Sequence, residues 1–171
     1  MDFPIRHPDF TTVTCLGWKP LLTDNSHKDV IIESMQFLSR ERRAIIYAFV
    51  IMETHFHIIW QMAGKEELHK VQLSFLKFTS QTLLRRLSEE KSSFLEELLV
   101  NKSDRKCQVW MRRSLSISLW SGKVFEQKLD YIHNNPVQAG LCRNPEDYHY
   151  SSARFYICNE RNWDFLEHYH G

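Results

Sequence analysis

Two consecutive segments decide what this chain can fold into: AIIYAFVIM, Ala44 to Met52, and HFHIIWQM, His55 to Met62. The first is nearly all apolar and rich in β-branched and aromatic side chains, yet far too short to span a membrane as a helix. It reads as a central strand buried on both faces. The second segment alternates. Successive side chains of a strand point to opposite faces, so His55, His57, Ile59 and Gln61 share one face. Phe56, Ile58, Trp60 and Met62 take the other, which is wholly apolar. Glu53 and Thr54 lie between the segments and mark the turn of a hairpin. With 171 residues, 43% of them hydrophobic, the chain 1–171 can bury one substantial core around that hairpin as a single domain.

The flanking sequence supplies helices and further strands. FTTVTCLGW, Phe10 to Trp18, mixes β-branched and aromatic residues and predicts a strand. TDNSHKD gives turn residues, with Asn25 or Ser26 as a cap for a helix over Lys28–Arg42. A long amphipathic helix is predicted from Lys65 to about Glu90, with Leu68, Val71, Phe75, Phe78, Leu83 and Leu87 on its apolar side. NKSDRK reads as a loop, and CQVWMRR and LSISLW as short strands. The next helix enters at Ser121–Gly122 and is disturbed at Pro136, because the residue before a proline is pushed out of the α region. One short helix is predicted in SSARFYICN. The order β-α-β-β-α-β-β-α predicts an α+β fold: a mainly antiparallel sheet with helices packed on it.

Several classes are disfavoured by composition. Five glycines and five prolines do not suit a collagen-like or disordered chain. The four cysteines are dispersed without a C-x-x-C pair, against a zinc ribbon and in favour of a reducing compartment. MDFPIRHPDF has no apolar core of a secretory signal, and no run approaches membrane-span length, so a cytoplasmic protein without membrane contact is expected. A net charge of +1 does not announce a nucleic-acid binder, although a local basic patch is compatible with it.

Chemistry can be read at two places. The i, i+2 spacing of His55 and His57 can present both imidazoles to one divalent ion. The motif alone stays open, since two histidines on a half-buried strand are more often structural. EHYHG at the C-terminus repeats the pattern with His168 and His170, but lies where chains fray, and no function attaches to it. The second place is LDYIHNNPVQAGL, Leu129 to Leu141. Tyr131 and Asn135 are i, i+4 and share a helix face. Taken alone, Tyr131 reads as a packed amphipathic ring and Asn135 as a residue closing the helix.

Together the two places resemble a known family. YIHNNPVQAGL is similar to the Tyr-Ile-His-x-Asn-Pro-Val-x-Ala-Gly-Leu signature of single-tyrosine HUH transposases, in particular the REP-associated tyrosine transposase branch. AFVIMETHFHIIW resembles that family's strand pair, and VWMRR and NPEDYHYSSARFY its flanking segments, all in the same order. Glu53–Thr54 departs from the family's Pro-Asn before the histidines, and Gln138 stands where Arg is commoner.

The resemblance implies a ferredoxin-like, RRM-like HUH fold. It implies that His55 and His57 bind a divalent metal, Mg or Mn, with Asn135 as a third ligand and Tyr131 as nucleophile. The reaction implied is metal-dependent cleavage and joining of single-stranded DNA through a 5′-phosphotyrosine, as in transposition or recombination of hairpin-bearing elements. DNA binding needs cations and stacking platforms. Lys102, Arg105, Lys106, Arg112 and Arg113, interleaved with Trp110, are the candidates, against the alternative of a solvated loop and strand edge. Two other readings stand beside this one: a catalytically repurposed single-strand-binding protein, and an HUH replication or mobilisation nickase. Monomer and homodimer both stay open, as does the general base for the tyrosine.

Overall fold

The structure, a computed structural model, describes residues 6–171. MDFPI, the first half of the segment read for a secretory signal, lies outside the described residues. Four strands form one antiparallel sheet: β1 (Asp9–Thr14), β2 (Ala44–Ile51), β3 (His55–Met62) and β6 (Leu115–Ser118), in the order β2-β3-β1-β6. The hairpin is as expected, with the Met52 amide donating to the His55 carbonyl at 2.8 Å. β3 is internal, flanked by β2 and β1. His57 stands opposite Thr12 on one side and Val50 on the other.

Helices cover both faces. On the face of Phe56, Ile58, Trp60 and Met62, α1 (Asn25–Arg40) and α2 (Leu68–Glu89) bury Ile31, Met35, Phe75 and Leu83 in the larger core. On the face of His57 and Ile59, α4 (Gly122–Gln138) buries Phe125 and Ile132 against Phe10, Ala48 and Val50. The alternation of β3 thus sends its apolar row to the larger core and its histidine row toward α4.

Local chemistry sets the helix ends. α1 starts earlier than expected because Asp24 is the cap, its carboxylate accepting from the Ser26 amide at 2.7 Å. α4 enters at Ser121, whose hydroxyl accepts from the Val124 amide. Pro136 does not end this helix: it is buried inside the last turn, which runs on to Gln138. Gly140, at φ 73°, closes it. Its amide donates to Val137 and that of Leu141 to Pro136, at 3.0 and 2.9 Å, so the last carbonyls find partners in a left-handed cap.

Two further expectations change. Phe78 is 58% exposed, and the buried row of α2 passes instead through Thr79, a polar residue that a hydrophobic pattern does not select. NKSDRK is a small two-stranded hairpin, not a loop: β4 (Leu99–Lys102) and β5 (Arg105–Cys107), preceded by the short α3 (Phe94–Glu97). The C-terminal α5 (Ala153–Ile157) forms as predicted. No helix among the described residues is long and apolar enough to cross a membrane.

His133 ties α4 to the segment before α5. It is buried, its Nε2 lies 2.8 Å from the Ser152 hydroxyl, and its ring packs on Tyr156. Burial pushes its pKa down to about 4. An unfolded histidine titrates near 6.5, so below that pH the unfolded chain takes up a proton that the folded chain refuses. Stability should be unaffected above pH 6.5 and should fall by about 1.4 kcal/mol per pH unit between 6.5 and 4 from this residue. Urea melts at pH 7 and pH 5 check the sign, and His133→Gln should reduce the difference, leaving the share that His57, also depressed by burial, contributes.

Candidate active site

The site lies where the start of β3 meets the middle of α4. His55 and His57 are two residues apart on one face, and their ring centroids are 4.9 Å apart. The Tyr131 ring comes from α4 of the same chain to 5.4 Å from that of His57. Phe10 forms the floor: it stacks on His57 at 5.2 Å and meets Tyr131 edge-on at 6.0 Å. It reaches both because β1 pairs with β3, placing Phe10 opposite Ile59 and Thr12 opposite His57.

The hydrogen bonds hold the imidazoles in position. Thr12 Oγ1 lies 2.8 Å from His57 Nδ1, and Thr54 Oγ1 lies 3.0 Å from His55 Nδ1. His57 is only 3% exposed, and its Nε2 is buried with no protein partner. A buried polar nitrogen without a partner is costly unless something is meant to meet it. With Nδ1–H donating to Thr12, Nε2 carries a lone pair into the site, as a metal-ligating histidine does when a neighbour fixes its other nitrogen.

Electrostatics favour neutral rings. Burial pushes the His57 pKa down to about 3, and His55 and Lys128 push in the same direction. Burial also lowers His55, while Asn135, close beside it without a well-aligned hydrogen bond, partly opposes that. Neutral imidazole is the form that binds a divalent cation. The two imidazoles thus lie ring to ring, with the Asn135 amide beside His55. Among the described residues no group of three or more His, Cys, Asp or Glu is placed to hold a metal ion.

Tyr131 differs from Tyr47, Tyr148, Tyr150 and Tyr156 in its hydroxyl, and from Tyr169, which packs on Tyr47 and Phe125, in lying beside His57. Tyr131 is 45% exposed, and its hydroxyl makes no hydrogen bond to any described residue. The hydroxyls of Tyr47, Tyr148, Tyr150 and Tyr156 donate to Gln61, Ile51, Asp29 and Tyr47 respectively. Burial raises the pKa of Tyr148 to about 12 and that of Tyr150 further. Neither is placed to attack a ligand.

Lys128, which no sequence motif singles out, lies beside the same rings. Its Nζ lies 4.8 Å from the Phe10 ring centroid and 5.5 Å from that of Tyr131. Its i, i+3 spacing from Tyr131, and i, i+7 from Asn135, is the signal that could have found it. Thr12 and Phe10 had no such signal, since their place depends on the pairing of β1 with β3.

The expected DNA-binding residues divide. Trp110 is a correction: it is 6% exposed, packs edge-on against Phe56, and donates from Nε1 to Thr79 Oγ1 at 3.1 Å. Its sequence position among cations suggested a surface, but its ring is core and offers no face for stacking. Lys102, Arg105 and Lys106 are exposed on the β4–β5 hairpin. Arg105 binds Asp104, and Arg112 comes within 3.8 Å of the same carboxylate. Arg112 and the exposed Arg113 leave the sheet at the histidine end, since the Met111 amide donates to Thr14, which pairs with His55.

Nine solved chains match this structure. One is a REP-associated tyrosine transposase bound to a REP hairpin, at a TM-score of 0.64 and 18% identity, over 100% of this chain and 90% of that one. Another, from Deinococcus radiodurans R1, is described as a transposase; it matches at a TM-score of 0.54 and 10% identity, over 78% of this chain and 94% of that one. No protein-family model matches the sequence, and no curated protein does. The fold of this chain is thus one that transposases use: an α+β fold with a four-stranded antiparallel sheet.

Proposed function

We propose that the chain is an HUH-type tyrosine transposase domain that cuts and rejoins single-stranded DNA through a phosphotyrosine at Tyr131. One observation carries this reading: the His55, His57 and Tyr131 rings converge while the buried His57 Nε2 has no protein partner. A structural histidine at that position would be expected to satisfy both nitrogens. The shared fold and the two sequence motifs support the same reading.

His55, His57 and Asn135 would hold a divalent cation, Mg or Mn, which when bound supplies Lewis acidity toward a phosphodiester. The chain's own residues do the rest. Thr12 and Thr54 hold the imidazoles by hydrogen bonds, and Phe10 stacks beneath His57. The Tyr131 oxygen attacks phosphorus; the new O–P bond forms as the P–O3′ bond breaks, the phenolic proton departs, and the 3′ oxygen leaves as a 3′-OH. Lys128 presents an ammonium beside the tyrosine, where an anionic phosphate would sit. The phosphotyrosine conserves the ester, so an incoming 3′-OH can reverse the step and join strands. Every one of these residues comes from one chain, so a second copy is not needed to complete the site. We extend hairpin recognition to this protein from the neighbour described as bound to a REP hairpin, with Lys102, Lys106 and Arg113 as cations for the backbone.

The test is incubation with hairpin-bearing single-stranded DNA and Mn or Mg, scored for a covalent protein–DNA band under denaturing conditions. A band that a chelator removes supports the reading; bound DNA with no band supports a repurposed binding protein instead. Thr12→Val should leave the tyrosine in place but free the His57 ring to turn. Loss of such an orienting partner typically weakens metal binding about 10- to 100-fold, so the metal concentration for half-maximal adduct should rise by that factor. Adduct yield at saturating metal should stay near that of the wild type.

A further inference from the structure

We propose that Trp18 is a stacking platform for a nucleobase adjoining the phosphate bound at His57 and Tyr131. The inference rests on the single-stranded DNA reading above and adds a base-binding subsite to it. Four rings meet in succession from α4 to the sheet end: Tyr131, His57, His55 and Trp18. The neighbouring centroids are 5.4, 4.9 and 5.7 Å apart. A strand with its phosphate at the first two rings carries its next bases past His55 toward the indole.

Trp18 is 59% exposed and meets His55 edge-on. Trp60 and Trp110 are buried, whereas Trp18 and Trp120 are open, and of these two only Trp18 adjoins the histidine pair. Its backbone is also unusual. Trp18 has φ 57° directly after Gly17 at φ 61°. The left-handed region is unfavourable for a bulky side chain and tends to persist where the surroundings hold it for a purpose. The surroundings hold it firmly: the Cys15 amide donates to Thr54 at 2.8 Å, the Leu16 amide to Val109 at 2.7 Å, and the Trp18 amide to Cys15 at 3.0 Å. The first of these bonds ties the turn to the residue before His55. The backbone that carries the indole is thus tied to the strand of the histidine pair.

Charge around the platform suits a polyanion. Arg112 and Arg113 leave the sheet beyond Thr14, on the side of the same sheet end, and Lys19 follows Trp18 directly. Lys19 is held by Glu97 at 2.9 Å and Arg112 lies 3.8 Å from Asp104, which leaves Arg113 as the cation of the three without an ion pair among the described residues. Base–aromatic stacking tolerates any base, so the subsite should contribute affinity with little sequence preference.

The experiment measures binding of a single-stranded oligonucleotide, and adduct formation on it, for the wild type, Trp18→Ala and Trp18→Phe. Each is repeated with oligonucleotides carrying one abasic site next to the cleaved phosphate. Thermal melts of the variants check folding, which substitution of this exposed side chain should leave intact. Trp18→Ala should bind the intact strand roughly ten-fold more weakly, with Trp18→Phe close to the wild type. An abasic site at the stacked position should weaken the wild type similarly and the Ala variant no further. Equal binding by the wild type and Trp18→Ala, with the adduct still formed, would overturn the stacking role alone. A Trp18-dependent, base-dependent affinity without any adduct would uphold the platform and instead overturn the transposase chemistry.

Discussion

Tyr131→Phe is expected to fold and bind single-stranded DNA as the wild type does, and to form no covalent adduct at all. The substitution keeps the ring, so the edge contacts to His57 and Phe10 survive. The lost hydroxyl has no hydrogen-bond partner among the described residues, so nothing buried is left unsatisfied and the stability cost should be small, under about 1 kcal/mol. Chemistry is another matter, since the phenolic oxygen would be the only atom that bonds to phosphorus. No other tyrosine hydroxyl near the site is free to replace it: that of Tyr148 donates to Ile51 at 2.8 Å and that of Tyr150 to Asp29 at 2.8 Å. A gel showing wild-type adduct from the Phe variant would remove Tyr131 from the mechanism.

His57→Ala should fail at a different step. The variant loses a nitrogen with no other occupation in the fold, and the remaining His55 and Asn135 make a poor site for a divalent ion. Removing an orienting partner already costs 10- to 100-fold in metal affinity, so removing the ligand should exceed about 100-fold in adduct formation. Some metal-independent DNA binding should persist, because the exposed cations on the β4–β5 hairpin are untouched. Stability should also fall, since the ring is buried against Phe10 and bonded to Thr12. A melt beside the activity assay separates the two effects: a folded variant that still needs metal and still makes adduct at the wild-type level would show His57 to be structural.

The sequence revealed the hairpin and the faces of β3 because the strand period is two and one face is fully buried. A slip of one residue would put His57 into the larger core and Phe56 into the site. It revealed the shared face of Tyr131 and Asn135 for the same kind of reason, helix spacing. What it did not reveal depends on contacts between segments distant in the chain. Trp110 sits among arginines in the sequence, yet its indole is buried against Phe56 and Thr79, residues 54 and 31 positions away. Phe10 and Thr12 enter the site only through the register of β1 on β3. Pro136 looked like a helix end, but the closing turn at Gly140 and burial of the ring let the helix run past it. Trp18 lay inside a predicted strand, and its left-handed backbone is a feature that no strand pattern announces.

The most direct measurement is the identity of the residue that carries DNA. Wild-type protein is incubated with hairpin-bearing single-stranded DNA and Mn, the adduct is trimmed with nuclease, and the peptides are sequenced by mass spectrometry. The account predicts a nucleotide mass on the peptide of α4 that contains Tyr131, at Tyr131 itself, and on no other tyrosine. An adduct on Tyr148, Tyr150 or any side chain other than Tyr131 would contradict it.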